Sequence, residues 1–298
     1  MMRLFRKKDD LYLSDKQPLS ISGKILLTIT YIILISWAVA ILWPLYQMVL
    51  SAFNGKQQQY LMLNDDFIFS KRHFEYLFKN TLFLQWTKNT IFIAVATAIL
   101  TLIIVSLTGY AYSRYRFKGK KISLMSMMLI QTIPTFAGIT AYFTMYSVIA
   151  DKNPGFTRQM MLVLIYAGGG IANNTFILKG YIDSLSTELD DAAKIDGCSN
   201  LQVYRLIIMP IARPMLALIA LWSFIGPFMD YLLPKVLLTS PESYTLAAGL
   251  FTLINDFRTL NQPAFAAGGL LTAIPIVILF IALQKELVSG LSQGSVKG

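Results

Sequence analysis

Apolar positions along this chain fall in long unbroken blocks, with neither the alternation of a strand nor the single stripe of an amphipathic helix. Residues 25–55, 89–113, 122–150, 159–178 and 259–284 contain no Asp, Glu, Lys or Arg. A sixth uncharged stretch, 214–229, ends at Asp230. A bilayer core about 30 Å thick needs roughly 20 helical residues, so five blocks are long enough outright. The sixth reaches that length if its helix begins near Ile211 and keeps Asp230 at its outer end. The pattern predicts an all-α membrane protein with six transmembrane helices, at 25–52, 89–112, 122–148, 159–182, 211–237 and 264–286. Four basic residues, Arg3, Arg6, Lys7 and Lys8, precede the first block as they would a secretory signal. That block is longer than the roughly 7–15 apolar residues of a signal core, so it is read as a retained helix.

Only 14% of the residues are charged, against about 25% in soluble domains, which fits the lipid reading. The loops then set orientation. With the amino terminus inside, 17 of the 26 Lys and Arg fall in cytoplasmic segments and nine outside. This bias predicts both termini cytoplasmic, with tails 1–24 and 288–298 and the loop 183–210 inside, and the segment 53–84 outside. The densest cluster, RYRFKGKK at 114–121, is an anchor on the inner side. The formal charge of +10 is thereby accounted for by topology and anionic lipid, and no nucleic acid partner is implied.

Catalytic chemistry is missing. One cysteine, Cys198, allows no intramolecular disulfide, and one histidine, His73, is read as a solvated residue of the outer segment. No phosphate-binding GxxxxGK[ST], GxSxG, HExxH or CxxC occurs, so no enzyme, metal site or cofactor is expected in this chain. Gln131, Asn173 and Asn174 are polar positions inside predicted spans, fit either to line a pathway or to bond between helices. Buried carboxylates or bases would mark a proton- or ion-driven carrier, and only Asp230 qualifies. A self-powered carrier or channel is thus the alternative reading. Pro134, Pro227 and Pro275 interrupt spans and are candidate kinks. Gly168 with Ala172, and Gly269 with Ala273, have the four-residue spacing of close helix packing. FEYLFKNTLFLQW (74–86) reads as an amphipathic helix lying against the second span.

The exception to the apolar plan is ELDDAAKIDGCSNLQVYRLIIMPIARP (188–214). Glu188, Asp190 and Asp191 fall in the first turn of a helix, where carboxylates favour the dipole. Leu189, Ala192 and Ala193 share a small face by i, i+3, i+4 spacing. Gly197 suits a left-handed cap, and Ser199 or Asn200 can cap a second helix. There Leu201, Tyr204 and Ile208 form one stripe, with Val203 and Ile207 nearby. Pro210 and Pro214 end that helix and open the next span. The segment predicts two helices at the membrane surface, the first acidic and facing the cytoplasm.

Asp191-Ala192-Ala193, Gly197 and then Ile207-Ile208-Met209-Pro210 resemble the EAA motif (EAA, x3, G, x9, I-x-L-P) of ABC importer permeases. Asp191 stands where the family usually has Glu, and Met209 where it has Leu. FLQWTKNTIFIAVATA (83–98) resembles the W-x-x-N-T/S opening of the permease core, here 85–287. GYAYSRYRFKGKK (109–121) resembles the basic connection of that core, and GGIANNTFILKGYIDSLSTELDDAA (169–193), SYTLAAGL (243–250) and LQKELVSGLSQGSVKG (283–298) are similar to the G-type subunit of maltose/maltodextrin importers. The likeness covers 25–298. It implies a binding-protein-dependent, MetI-like permease core that pairs with a second homologous subunit as a heterodimer. It also implies two copies of an ABC ATPase, which carry the ATP and Mg²⁺, and an extracellular sugar-binding protein delivering an oligosaccharide. On this resemblance Glu188, Asp190, Asp191, Ala192, Ala193, Gly197 and Pro210 belong to the ATPase-coupling loop, and the tail after Gly290 touches the ATPase. Another oligosaccharide or a sugar phosphate is the alternative substrate.

Overall fold

A computed structural model describes residues 20–56, 67–256 and 260–294. The expectations for residues 1–19, for 57–66 of the outer segment, for Arg258 and for the last four residues lie outside these. Every element among the described residues is helical, apart from one isolated antiparallel bridge, Asn54 to Phe69. The chain forms two compact units, Met1–Leu50 and Ser51–Gly298. Most of α1 (Ile21–Phe53) lies in the first, where the rings of Trp43 and Tyr46 stand 5.9 Å apart.

The second unit runs through α2 (Arg72–Asn80), α3 (Phe83–Arg114), α4 (Lys120–Gln131), α5 (Ile139–Lys152) and α6 (Arg158–Asp183). It continues through α7 (Glu188–Ile195), α8 (Asn200–Ile211), α9 (Arg213–Met229), α10 (Leu232–Leu237), α11 (Leu246–Phe251) and α12 (Gln262–Gly294). The centre is the α3–α6 pair, with α9 packed on both and α12 on α9. The central pair approaches closely at Gly109, where an added Cβ would stand 3.0 Å from Leu178 Cδ2. The hydroxyls of Thr108 and Thr175 bond across it at 2.8 Å. Of the small residues singled out by spacing, Ala172 is buried and Ala273 is exposed within the subunit. An added Cβ at Gly168 would meet nothing within 4 Å, and Gly268 takes Leu250, whose Cδ2 would lie 2.3 Å from an added Cβ. Spacing finds a smooth helix face but not whether protein lies against it.

Among the described residues four helices are long and apolar enough to cross a membrane: Ile21–Phe53, Phe83–Arg114, Arg158–Asp183 and Gln262–Val288. A fifth crossing is available if α8 and α9, bent by 77° at Ala212, count as one. The expected helix 122–148 is divided: α4 stops at Gln131, and a single 3₁₀ turn, Thr135–Gly138, precedes α5. Pro134 is the cause, since it lacks an N–H and disfavours helical backbone at Ile133. Pro227 and Pro275 instead lie inside continuous helices. The expected helix 211–237 ends early too. Asp230 stands in extended conformation at the end of α9, and its Oδ1 accepts from the N–H groups of Leu232 (2.9 Å) and Leu233 (3.3 Å). Its Oδ2 accepts from the Tyr166 hydroxyl at 3.0 Å. A carboxylate so occupied starts α10 rather than riding inside a longer helix.

The outer helix also differs from its expectation. It spans only Arg72–Asn80 before the chain breaks at Thr81, and it packs chiefly against α12 rather than α3. His73 is buried in it, not solvated. Its Nε2 lies 2.7 Å from the carbonyl of Asn54, so the neutral ring carries its proton there. Burial lowers the His73 pKa below the ordinary 6.5, the bond to Asn54 opposes this, and Arg72 lowers it further. With the folded pKa depressed, the unfolded segment binds more protons below about pH 6.5, and stability rises with pH through that window. Amide protection in 53–56 and 67–74 is therefore expected to fall between pH 7.5 and 5.5. His73→Gln should flatten the dependence; an unchanged slope in that variant refutes the assignment.

One long-range fastening organises the end of the core remote from α7. Trp86 Nε1 donates to the Pro241 carbonyl at 2.8 Å. Asn89 Nδ2 donates to the carbonyls of Glu242 (2.8 Å) and Tyr244 (2.9 Å). Thr90 Oγ1 accepts from the Leu246 N–H at 2.6 Å. Three buried side chains of α3 thus satisfy the backbone of a loop, and an orphaned polar group on any of them would be costly.

Candidate functional site

The interruption between α6 and α9 folds as the local rules require. After α6 ends at Asp183, Ser186 Oγ accepts from the Glu188 N–H at 3.2 Å and α7 begins. It ends in a Schellman motif: the Cys198 N–H reaches the Ala193 carbonyl at 2.9 Å and the Gly197 N–H that of Lys194 at 3.0 Å. Gly197 has φ +86°, which an L side chain rarely adopts. Ser199, not Asn200, caps α8 through a capping box: its N–H donates to Gln202 Oε1 at 2.7 Å, and its Oγ accepts from the Gln202 N–H at 3.4 Å.

α8 departs from the expected stripe. Val203–Ile208 is wound as a π-helix, so residues five apart share a face. Val203 and Ile208 are wholly buried, while Leu201 is 68% exposed. Pro210 supplies the reason, because its ring displaces the carbonyl four residues back and it has no N–H to offer. The helix runs on past Pro210 to Ile211, and the break comes at Ala212.

α7 presents two unlike faces. Asp190 and Ala193, three apart, are turned into the protein. Glu188, Asp191, Ala192 and Ile195 form the opposite, exposed face, and Ile195 is 87% exposed. The face expected from Leu189, Ala192 and Ala193 is thus split between the two sides. Asp190 is equally an inward residue. Its Oδ2 lies 3.0 Å from Arg114 Nε, with the two side chains 8% and 9% exposed. The contact is an ion pair off the N–H line rather than a directed hydrogen bond. Arg114 Nη2 also donates to the Leu185 carbonyl at 3.3 Å. Beside it Ser113 Oγ donates to Asp183 Oδ1 at 2.6 Å, and Lys179 pairs with Asp183 Oδ2. The helix pair is seated on an apolar cluster of Val105, Tyr110, Leu178, Ile182, Ile208 and Ile219, against which Cys198 packs.

The pathway candidates divide. Gln131 and Asn173 line one cavity of about 640 Å³ between α4, α5 and α6, together with Pro134, Tyr142, Gly168 and Gly169. Asn174 is not on its wall; it is buried, with its amide beside Gly170. Arg114 and Ile195 are site residues that the sequence did not single out. Arg114 reads only as one cation of a basic cluster. Ile195 lies four residues beyond Asp191, on its helix face, and that spacing was the available signal.

Among the described residues, an all-α core of long apolar helices with a capped helix pair displayed beside it is the architecture of a multi-pass membrane protein. Residues 105–293 match the family described as binding-protein-dependent transport system inner membrane component. The chain belongs to that family, and is a permease subunit of the cell membrane rather than an enzyme. It is 42% identical to the maltodextrin transport system permease protein MdxG of Bacillus subtilis, over 90% of this chain and 95% of that one. It is 40% identical to the galactooligosaccharides transport system permease protein GanQ of the same organism, over 91% and 96%. In fold it is similar to a chain of a bacterial ABC transporter involved in the import of alginate, with TM-score 0.73, 20% identity and coverage of 91% and 99%. A chain of the MetNI methionine ABC transporter matches with TM-score 0.56 at 15% identity, over 70% of this chain and 95% of that one.

Proposed function

We propose that this chain is the G-type membrane subunit of an ATP-driven ABC importer for maltodextrins. The observation that carries the substrate is the 42% identity to a maltodextrin permease along nearly the full length of both chains. In this reading the chain pairs with a second, homologous permease subunit and sits on two copies of an ABC ATPase, which hold ATP and Mg²⁺. An extracellular binding protein delivers the sugar. α7 is the helix that docks on the ATPase, with Glu188, Asp191, Ala192 and Ile195 outward and Gly197 and Pro210 setting its pose; Asp190 and Ala193 hold it from within. The chain crosses the membrane six times with both termini inside. One crossing is made in two pieces by α4 and α5, and another by the bent α8–α9 pair. Gln131 and Asn173 line the route of the sugar.

The test is uptake by the assembled transporter in liposomes with its binding protein. Labelled maltodextrin should accumulate only with internal ATP and be displaced by unlabelled maltodextrin. The 40% identity to a galactooligosaccharide permease supports a second reading, which displacement by galactooligosaccharide alone would select. Flux by this chain without ATPase or binding protein would overturn both.

A further inference from the structure

Ser106, Tyr110 and Arg114 recur every fourth residue of α3 and so lie on one stripe. Each touches the α7–α8 pair. The Tyr204 hydroxyl donates to Ser106 Oγ at 2.9 Å, the Tyr110 and Tyr204 rings stand 5.3 Å apart, and Arg114 holds Asp190 at 3.0 Å. At the other end of the same helix, Trp86, Asn89 and Thr90 hold the backbone of 241–246. The covalent route out of α8 is different: it passes through the 77° bend at Ala212.

We propose that α3 is the rod that links the coupling helix to the outer segment 241–246. Arg114, acting through Asp190, and Asn89 are the positioning residues at its two ends. This rests on the reading of α7 as the ATPase-docking helix. α3 has 32 residues and at 1.5 Å per residue is about 48 Å long, so one stiff element reaches from one membrane face to the other. The Arg114–Asp190 pair is shielded from water, and removing one partner strands the other's buried charge. The Asn89 amide is fully engaged, since its Oδ1 also accepts from Gln85 at 3.0 Å. A shift of α7 is therefore delivered to α3 by contacts that cannot slip without exposing an unpaired group, and a shift of 241–246 travels the other way.

The experiment uses the complete transporter in nanodiscs. Asp190→Asn, Arg114→Gln and Asn89→Leu are compared for co-purification of the ATPase, stimulation of ATP hydrolysis by sugar-loaded binding protein, and uptake. All three should retain the ATPase, while stimulation and uptake fall about tenfold. The charge swap Arg114→Asp with Asp190→Arg should recover much of the loss, which general structural damage would not allow. Should Arg114→Gln not assemble, Arg114→Lys is read in the same way. Asn89→Leu combined with Asp190→Asn should be no worse than the poorer single variant, because both cut one rod. Undiminished stimulation in the single variants overturns the proposal, as do losses that multiply in the double. Asp191→Lys separates this from the underlying reading: if it keeps both ATPase and stimulation, α7 is not the docking helix, whatever Asp190→Asn does.

Discussion

Asp191→Lys is expected to reduce ATP-driven uptake to background and to strip the ATPase from the purified complex, while the chain still inserts and pairs. Asp191 lies on the exposed face of α7, so the change breaks nothing within the subunit. The loss falls wholly on the partner contact. A carboxylate that becomes desolvated against a basic group contributes about 2–5 kcal/mol on truncation, which is roughly 30-fold or more in affinity. A lysine in its place adds like-charge repulsion. At the rim of an interface the same pair would contribute only about 0.2–1 kcal/mol. Ile195 decides between these cases. In the proposed docking, Ile195, 87% exposed and one turn from Asp191, is the apolar anchor for the partner's cleft. A cleft that takes it excludes water from Asp191 as well. Ile195→Asp should therefore lower ATPase affinity as strongly as Asp191→Asn. Gly197→Ala should give a graded defect. An added Cβ there meets nothing within 4 Å, so its cost is only the left-handed backbone, about 1–2 kcal/mol. Titration of the ATPase onto the permease pair measures all four variants, and unchanged affinity in Asp191→Lys refutes the docking assignment.

Adjacent residues Asp190 and Asp191 show what was legible in the sequence. Their side-chain chemistry and dipole preference are the same, only Asp191 falls within the EAA pattern, and on sequence both belong to the coupling loop. Only the position of Arg114, 76 residues earlier, separates an inward strut from an outward contact. The caps were readable because they are local: Gly197, Ser199 and Gln202 fix their own turns within five residues. The break at Pro134 was readable as a kink but not as a full division of the helix. Pro227 and Pro275 carry the same local signal and leave their helices unbroken, so the neighbours decide. The stripe on α8 was misplaced because an α-helical period was applied to a π-wound turn. The W-x-x-N-T and SYTLAAGL stretches both stood out as family-like, yet nothing in either says that they touch. Contacts between positions more than 150 residues apart are set by tertiary packing alone.

That contact carries the other large expected effect, on stability. Trp86 is 5% exposed, and its ring lies over Gly249: an added Cβ there would stand 2.2, 2.4 and 2.6 Å from three ring atoms. The ring cannot swing aside freely, because Nε1 is held by the Pro241 carbonyl at 2.8 Å. Trp86→Ala removes the ring and that donor together, and is expected to cost about 3–5 kcal/mol. Gly249→Ala overpacks the same spot from below, at about 1–3 kcal/mol. These two changes relieve each other: with the ring gone, the alanine methyl enters the space left behind. The double variant should therefore cost less than the two single losses combined, by an interaction energy of roughly 0.5–3 kcal/mol. In the proposed arrangement uptake should fall through lost stability and the loosened attachment of 241–246 together, while the ATPase is retained, since the proposed docking face of α7 lies at the other end of α3. Thermal unfolding of the solubilised complex, with ATPase retention as control, gives the comparison. Strict additivity of Trp86→Ala and Gly249→Ala would show that the ring and the glycine do not share that space.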